Sequence, residues 1–176
     1  MNTDTSAGAQ TSIGTNTSES TNASEDAVTS ENTIASENSK ATRVELRVRG
    51  YHLDGYGHVN HARYLEFLEE GRWDYFDHHA ALMEQLRHGH IAFVVVNLNI
   101  DYRAAAVAGD DLAVETRLAE IGSRSAKMAQ RIVRRSDGQL VCRAVLTFVL
   151  LDVAENRAVT LEGSLRESLS ALVAGE

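Results

Sequence analysis

Hydrophobic residues fall on alternate positions, or form short apolar runs, in five stretches of the chain, and each stretch predicts a β-strand. The first stretch places Val44, Leu46 and Val48 on one face and charged residues on the other. A period of two residues is the spacing of side chains along one face of a strand. The remaining predicted strands cover residues 91–102, 112–119, 126–133 and 140–151.

A helical pattern occupies residues 60–77, between the first and second predicted strands. Apolar residues recur there at three- and four-residue spacing in two stripes, one containing Leu65 and the other Phe67. A helix that is apolar over much of its circumference is expected to be buried. Asn60 is the predicted N-cap, since its side-chain oxygen can accept from a backbone N–H of the first turn. Shorter helices are predicted around 80–87 and 163–173.

The order of these elements favours an α+β fold. Asp137 and Gly138 are typical of a hairpin, and Gly122 marks another turn, so the last three strands should be antiparallel neighbours. One sheet and one helix must bury each other's apolar faces. We therefore expect a curved antiparallel sheet of about five strands wrapped around one long central helix. Because an open sheet leaves unpaired edges, a homodimer or homotetramer is expected.

Composition separates a tail from this domain. The chain has 176 residues and a net charge of −8, but residues 1–41 contain no Leu, Phe, Tyr or Trp. Such a segment buries too little apolar area to offset its ordering entropy, so we predict a disordered polar tail at 1–41 and one domain at 42–176. The tail carries six acidic residues and one basic residue. The domain is then only mildly acidic, which argues against nucleic acid as a partner.

The remaining composition points to the cytoplasm. The sequence has no secretory-signal pattern and no apolar run that is long enough to span a membrane. A single cysteine, Cys142, excludes an internal disulfide. Cys142 lies among apolar residues of one strand face, which is typical of a buried structural thiol rather than a nucleophile.

Potentially catalytic side chains concentrate just before the long helix. Asp54, His58 and His61 lie within one short segment, in which a loop with Gly55 and Gly57 leads to His61 at the first helical position. The free N–H groups at the helix start can polarise a carbonyl. On spacing alone, Asp54 is equally well explained as a turn-capping residue. The side chains of His52, Asp54, His58 and His61 could in principle also bind a metal ion. No H-E-x-x-H motif or cysteine pair accompanies them, so no metal is expected.

The segment 54–72, D-G-Y-G-H-V-N-H-A-R-Y-L-E-F-L-E-E-G-R, resembles the signature of hotdog-fold acyl-CoA thioesterases of the 4-hydroxybenzoyl-CoA thioesterase group. The resemblance covers about residues 42–152. It implies a hotdog fold whose active site lies at a dimer interface. The positions in register are Asp54, Gly57, His58, Val59, Asn60, His61, Tyr64, Glu69 and Arg72.

The resemblance also implies roles for individual residues. Asp54 would be the general base or nucleophile of thioester hydrolysis, assisted by His61, and His58 matches a histidine in other branches of the family. Backbone N–H groups around Asn60 and His61 would form the oxyanion hole. Glu69, which is catalytic in some branches, is expected here to form a structural ion pair with Arg72.

Coenzyme A would enter as part of the substrate, with no separate cofactor. The candidates for contacting its phosphates are Arg103 and the turn formed by Ser123, Arg124 and Ser125, although ordinary surface arginines explain the same pattern. An acyl-carrier-protein thioester is an alternative substrate.

Two other functions remain open at this level. A hotdog hydratase or dehydratase typically shows G-D-x-N-P-x-H, but Asp54 and His58 are four residues apart and the chain has no proline. A non-catalytic acyl-thioester-binding dimer is not excluded. The motifs of serine α/β-hydrolases, P-loop nucleotide binders and dinucleotide-binding folds are absent from the sequence.

Overall fold

The computed structural model describes residues 41–173. The predicted tail at 1–41 therefore lies outside the described residues except for Ala41. A short 3₁₀ turn at Gly50–His52 precedes the site loop. The other elements, in chain order, are β1 (Thr42–Arg47), α1 (His61–His78), α2 (Ala80–His88), β2 (Ile91–Tyr102), β3 (Asp111–Ile121), β4 (Ser125–Arg134), β5 (Leu140–Asp152), β6 (Arg157–Ala158) and α3 (Gly163–Ser170).

The strands form one antiparallel sheet with the order β1-β3-β4-β5-β2, and β6 pairs with β5. The predicted neighbours β3, β4 and β5 are adjacent, as short turns require. All five predicted strands are confirmed. The sixth strand, β6, was not predicted, because a two-residue strand carries no periodic signal.

Helix α1 packs one face against the sheet. Its buried residues are Tyr64, Phe67, Leu68, Gly71, Tyr75 and Phe76. The expectation of a helix buried on most sides is wrong for the single chain, because Leu65 and Trp73 are 40% and 56% exposed. One sheet face can cover only one side of a helix, so the stripe that contains Phe67 is buried and the side that carries Leu65 and Trp73 is left open.

Helix α1 approaches the sheet most closely at Gly71. A Cβ atom added there would lie 2.6 Å from Val114 Cγ1 and 2.7 Å from Thr116 Oγ1. Both distances are shorter than van der Waals contact, so only glycine fits. The absent side chain therefore sets the distance between α1 and β3.

A buried hydrogen-bond network fixes the helix at the same level. Gln130 Nε2 donates to Leu68 O at 2.7 Å and to Thr116 Oγ1 at 2.9 Å. Arg72 Nη1 donates to Gln130 Oε1 at 3.1 Å, and burial lowers the pKa of Arg72. In the single chain Arg72 donates to Gln130 and Glu69 is exposed, although the charge of Glu69 raises the pKa of Arg72 against the larger effect of burial. The structural pair of Arg72 with Glu69 stays a prediction for the dimer.

Strand β2 is the terminal strand on one side of the sheet. Its pairing with β5 shifts register between Val95 and Asn97, and Val95 and Val96 are 42% and 56% exposed. The described part of the chain thus presents a strand edge that carries two exposed valines beside polar residues such as Asn97 and Asn99. None of the described helices combines the length and apolar character needed to cross a bilayer.

Candidate active site

The site loop is a tight turn closed by a bridge between Leu53 and Val59. Within it, Asp54 N donates to His58 O at 2.8 Å, and Gly57 N donates to Asp54 O at 3.1 Å. Gly57 has a φ of 78°, a left-handed conformation that glycine adopts without strain. These constraints hold the Asp54 side chain in a defined place before the helix.

The two oxygens of the Asp54 carboxylate differ. Oδ1 accepts from Tyr56 N at 2.8 Å and from His58 N at 3.3 Å, the contacts expected of a turn-capping aspartate. No residue between 41 and 173 donates to Oδ2. The half-buried carboxylate therefore has one oxygen fixed by the loop and one available for a reacting molecule.

The start of α1 supplies the next part of the site. Asn60 Oδ1 accepts from Ala62 N at 2.9 Å, so the predicted N-cap is confirmed. Asn60 N donates to His52 O at 2.9 Å, so this N–H group already has an acceptor within the chain. Among the described residues, the N–H of His61 has no acceptor. Of the two backbone N–H groups predicted to form the oxyanion hole, that of His61 is therefore the one available to a substrate oxygen.

His61 and His58 are both exposed in the single chain. Their side chains make no hydrogen bond within residues 41–173, so their predicted roles stay predictions. Sequence reasoning missed Tyr102, whose hydroxyl donates to His61 O at 3.1 Å and whose ring meets Tyr64 edge-on at 5.4 Å. Tyr102 ends β2, far along the chain, and no local pattern connects it to the loop.

His52 has a structural role that its sequence position did not reveal. Its Nδ1 accepts from Arg49 N at 3.0 Å, and its ring packs edge-on against Phe67 at 4.9 Å. Burial, with a smaller effect of Arg63, lowers the pKa of His52 and favours the neutral ring. The backbone oxygen of His52 also accepts from Asn60 N, so His52 helps to fix the N-cap of α1.

The two sets of residues predicted to contact coenzyme A lie at opposite ends of the sheet. Arg103 N donates to Val141 O near the start of β5. Ser125 pairs with Val149, which lies toward the other end of β5. At about 3.3 Å per residue, the separation along β5 is about 26 Å. One chain therefore does not bring both sets to one nucleotide. The Arg103 end is the one beside the Asp54 loop, since Tyr102 contacts His61.

Arg103 already has an acidic neighbour. Its Nη2 lies 3.0 Å from Asp101 Oδ2, and Arg143 Nε contacts the same oxygen at 2.7 Å. The hydrogen bonds from Arg143 and Arg103 lower the pKa of Asp101. Arg103 and Arg143 thus form a small basic group around one carboxylate.

An apolar groove of about 270 Å³ lies beside the exposed face of α1. Its polar members are Glu69 and Arg72. A larger depression of about 590 Å³ is lined by outer sheet residues such as Arg131 and Arg143 and contains none of the predicted catalytic residues. The apolar walls of the groove are Trp73, Phe76, Met83, Phe93 and Val95.

Other reactive groups do not form a competing site. Burial raises the pKa of the Cys142 thiol to about 12, and the residue is fully buried. A thiolate nucleophile is therefore unfavourable there. Within residues 41–173, no cluster of three or more His, Cys, Asp or Glu side chains could hold a metal ion.

A family profile described as the Thioesterase-like superfamily matches residues 48–169. The chain belongs to this superfamily. The match contains the Asp54 loop, the whole of α1 and all but the last residue of α3. The predicted family and the class of thioester hydrolase are thereby confirmed.

Individual relatives agree with the family. The chain is 46% identical over 131 residues to the long-chain acyl-CoA thioesterase FadM of Escherichia coli K12, covering 74% of this chain and 98% of FadM. It resembles the crystal structure of the probable thioesterase YbaW of Escherichia coli, with a TM-score of 0.67, 43% identity and coverage of 74% and 98% of the two chains.

A thioesterase of Thermus thermophilus, solved as a complex with coenzyme A and Zn, has a TM-score of 0.65 and 29% identity. The alignment covers 80% of this chain and 99% of that structure. The predicted α+β hotdog fold is confirmed by this set of thioesterase structures.

Proposed function

We propose that this protein is a long-chain acyl-CoA thioesterase that uses Asp54 on the loop before α1. Acyl-CoA thioester hydrolysis is the activity of its class, and the similarity to FadM supports it. The observation that carries the site is the Asp54 carboxylate, with one oxygen held by the loop and the other open, beside the unused N–H of His61.

In the proposed reaction, water attacks the thioester carbonyl carbon and Asp54 Oδ2 takes the water proton as general base. The carbonyl oxygen becomes an oxyanion that the His61 N–H and the helix dipole stabilise. The intermediate collapses by breaking the C–S bond, and the leaving thiolate receives the proton. The products are a carboxylate and coenzyme A. Direct attack by Asp54 through an anhydride is the alternative route to the same products.

The exposed face of α1 supports an aliphatic substrate. His61, Leu65, Glu69 and Trp73 are spaced four residues apart, so they share one side of the helix. That side leads from the catalytic loop to the apolar groove, and Trp73 lies about 18 Å along the helix from His61. An acyl chain that starts at the oxyanion hole reaches the groove only if it is long, which fits a long-chain substrate.

The edge of β2 supports a homodimer. Val95 and Val96 leave apolar surface on an unpaired strand, and a second copy that pairs with this edge would cover it. Antiparallel pairing of two β2 edges about a two-fold axis places the start of one β2 beside the end of the other. The partner's Ser123–Ser125 turn then comes to the end of the sheet where this chain has Arg103 and Asp54. Arg103 of one chain and the Ser123–Ser125 turn of the other could then contact one nucleotide, although they lie about 26 Å apart along β5 within a single chain. A tetramer would pair two such dimers.

Coenzyme A is then part of the substrate, and no further cofactor enters the proposed reaction. Either coenzyme A or an acyl-carrier protein can carry the thioester, since both present the same reacting group. A cytoplasmic location is proposed with it, and the free, buried Cys142 fits a reducing compartment.

The test is hydrolysis of straight-chain acyl-CoAs, from acetyl to stearoyl, read as released thiol. We expect turnover that increases toward the longer chains. Hydration of a 2-enoyl-CoA without thiol release would establish the hydratase alternative. Binding without either reaction would establish a non-catalytic protein. Repeating the series with acyl-carrier-protein thioesters identifies the carrier.

A further inference from the structure

The β3–β4 turn is held in place by the end of the chain. Leu161 N donates to Ser123 O at 2.8 Å, and Arg166 Nη1 donates to Gly122 O at 2.9 Å. The same Arg166 nitrogen donates to Leu161 O at 3.3 Å. Arg166 thus joins the turn to the segment that runs beside it. We call residues 159–170 the C-terminal clasp.

The C-terminal clasp is itself fixed to the core. Val159 N donates to Leu150 O at 2.7 Å, which extends the contacts of β5. Leu161 and Leu169 are each 2% exposed. Both belong to the apolar cluster around Phe148. A segment held at both ends by buried leucines is a rigid support for the turn between them.

The clasp bonds only to the backbone of the turn. Gly122 N donates to Ser125 O at 2.7 Å, which closes the turn internally. The side chains of Ser123 and Arg124 remain exposed at its tip. A positive charge on a braced turn is suited to a phosphate group, because the turn is ordered before the ligand binds.

We propose that the C-terminal clasp holds the β3–β4 turn in the conformation that contacts the phosphates of coenzyme A, with Arg166 as the positioning residue. This inference rests on the proposed function, in which that turn contacts the nucleotide part of the substrate. Arg166 acts on the ligand through two backbone carbonyls of the turn and clasp. Its loss releases the turn without altering the Asp54 loop at the opposite end of the same chain.

The first experiment measures ligand binding by calorimetry, which does not depend on turnover. Coenzyme A and pantetheine, which lacks the nucleotide, are titrated into the full-length protein and into Arg166→Met, Arg166→Lys and Arg124→Gln. Arg157→Gln is the matched control, since Arg157 pairs with Glu155 on the neighbouring exposed hairpin. We expect coenzyme A to bind about tenfold more weakly to Arg166→Met, because a turn released by the loss of Arg166 must be ordered when the ligand binds. Arg166→Lys should recover part of the affinity.

The second experiment separates KM from kcat. A long-chain acyl-CoA is compared with the same acyl group on N-acetylcysteamine. Arg166→Met and Arg124→Gln should raise KM for the acyl-CoA several-fold and leave kcat and the truncated thioester unchanged. Melting curves show whether each variant folds; if Arg166→Met does not, Arg166→Lys carries the comparison.

Equal losses on both substrates, or no loss for the Arg166 variants, would overturn the positioning role. An Arg124→Gln protein that binds coenzyme A like the parent would also overturn it, because the turn would then not contact the nucleotide. Failure of the proposed function is distinct: the parent would bind coenzyme A more tightly than pantetheine but hydrolyse no thioester.

Discussion

The two carboxylate oxygens of Asp54 have different surroundings, and this asymmetry reconciles the structural and catalytic interpretations of the residue. Oδ1 caps the loop through Tyr56 N and His58 N. Oδ2 receives no hydrogen bond from the described residues. A carboxylate that is oriented by one oxygen can use the other as a base with little loss of side-chain entropy.

Asp54→Asn should lower kcat/KM by on the order of 10²-fold or more, because the amide keeps the shape and removes the base. Binding of a non-hydrolysable substrate analogue should be retained. Steady-state hydrolysis of a long-chain acyl-CoA provides the measurement. His61→Ala should cost less, since its backbone N–H remains.

Glu69→Gln is the matched control for Asp54. Glu69 is exposed, and Arg72 is bonded to Gln130, so the change should affect stability only slightly. A dead Glu69→Gln protein beside an active Asp54→Asn protein would place the catalytic carboxylate on α1 and contradict the assignment.

At the scale of elements, α1 has one face that packs and one face that remains open. Gly71, Gln130 and Thr116 hold the packed face tightly against β3 and β4. The open face carries His61 at one end and the apolar groove toward the other. The close packing of one side therefore determines the position of the functional side.

Gly71→Ala should destabilise the fold by about 1–3 kcal/mol, the cost of overpacking a well-packed core. Its Cβ would meet Val114 Cγ1 at 2.6 Å. Urea unfolding provides the measurement. Gly50→Ala is the control, because nothing lies within 4 Å of an added Cβ there. Equal stability of the two variants would show that α1 can move away from the sheet.

Met83→Trp should shorten the preferred acyl chain, because the larger ring fills the groove beside Phe93. We expect kcat/KM for the longest acyl-CoAs to fall about tenfold, corresponding to roughly 1.4 kcal/mol of lost apolar contact. Rates on short acyl-CoAs should be unchanged. Val153→Trp, a change in the exposed turn between β5 and β6 and outside the groove, is the control. An unaltered chain-length profile would exclude the groove as the acyl site.

At the scale of the whole molecule, the free edge of β2 and the separated nucleotide candidates both point to an assembly. The single chain buries one side of α1 and leaves Val95, Val96 and Trp73 exposed. A partner along β2 would cover this surface and bring the remote turn toward the Asp54 loop. Dimerisation would then both cover the exposed surface and complete the candidate active site.

Val96→Lys should weaken dimerisation, because a charge on the β2 edge opposes its pairing with a second copy. Light scattering at micromolar concentration should show a larger monomer fraction, and the specific activity should fall with it. Val153→Lys is the control, since Val153 is 60% exposed in the turn between β5 and β6. A parent protein that is monomeric and fully active would contradict the proposed interface.

Removal of residues 1–40 should leave the melting temperature, the oligomeric state and the turnover unchanged. They contain no Leu, Phe, Tyr or Trp, and β1 begins only at Thr42. Differential scanning calorimetry of the shortened and full-length proteins provides the measurement. A large fall in melting temperature on shortening would show that the tail packs against the domain.

The sequence by itself determined the elements and their order, because periodicity and turn residues act locally. Alternation around Leu46 and Met128, and the helical spacing after Asn60, each predicted the observed element. The 54–72 motif predicted the family, because it holds a loop and a helix start within one short segment. Asp54 as a candidate also came from the sequence alone.

Only the tertiary structure decided which surfaces and residues meet. It turned Arg72 to Gln130 instead of Glu69, placed Tyr102 against His61 O, and separated Arg103 from Arg124. These relations join positions far apart in the chain, and they depend on strand register and helix rotation. A short stretch of sequence does not identify the distant partner of either, because register and rotation are settled by the faces that the whole core buries.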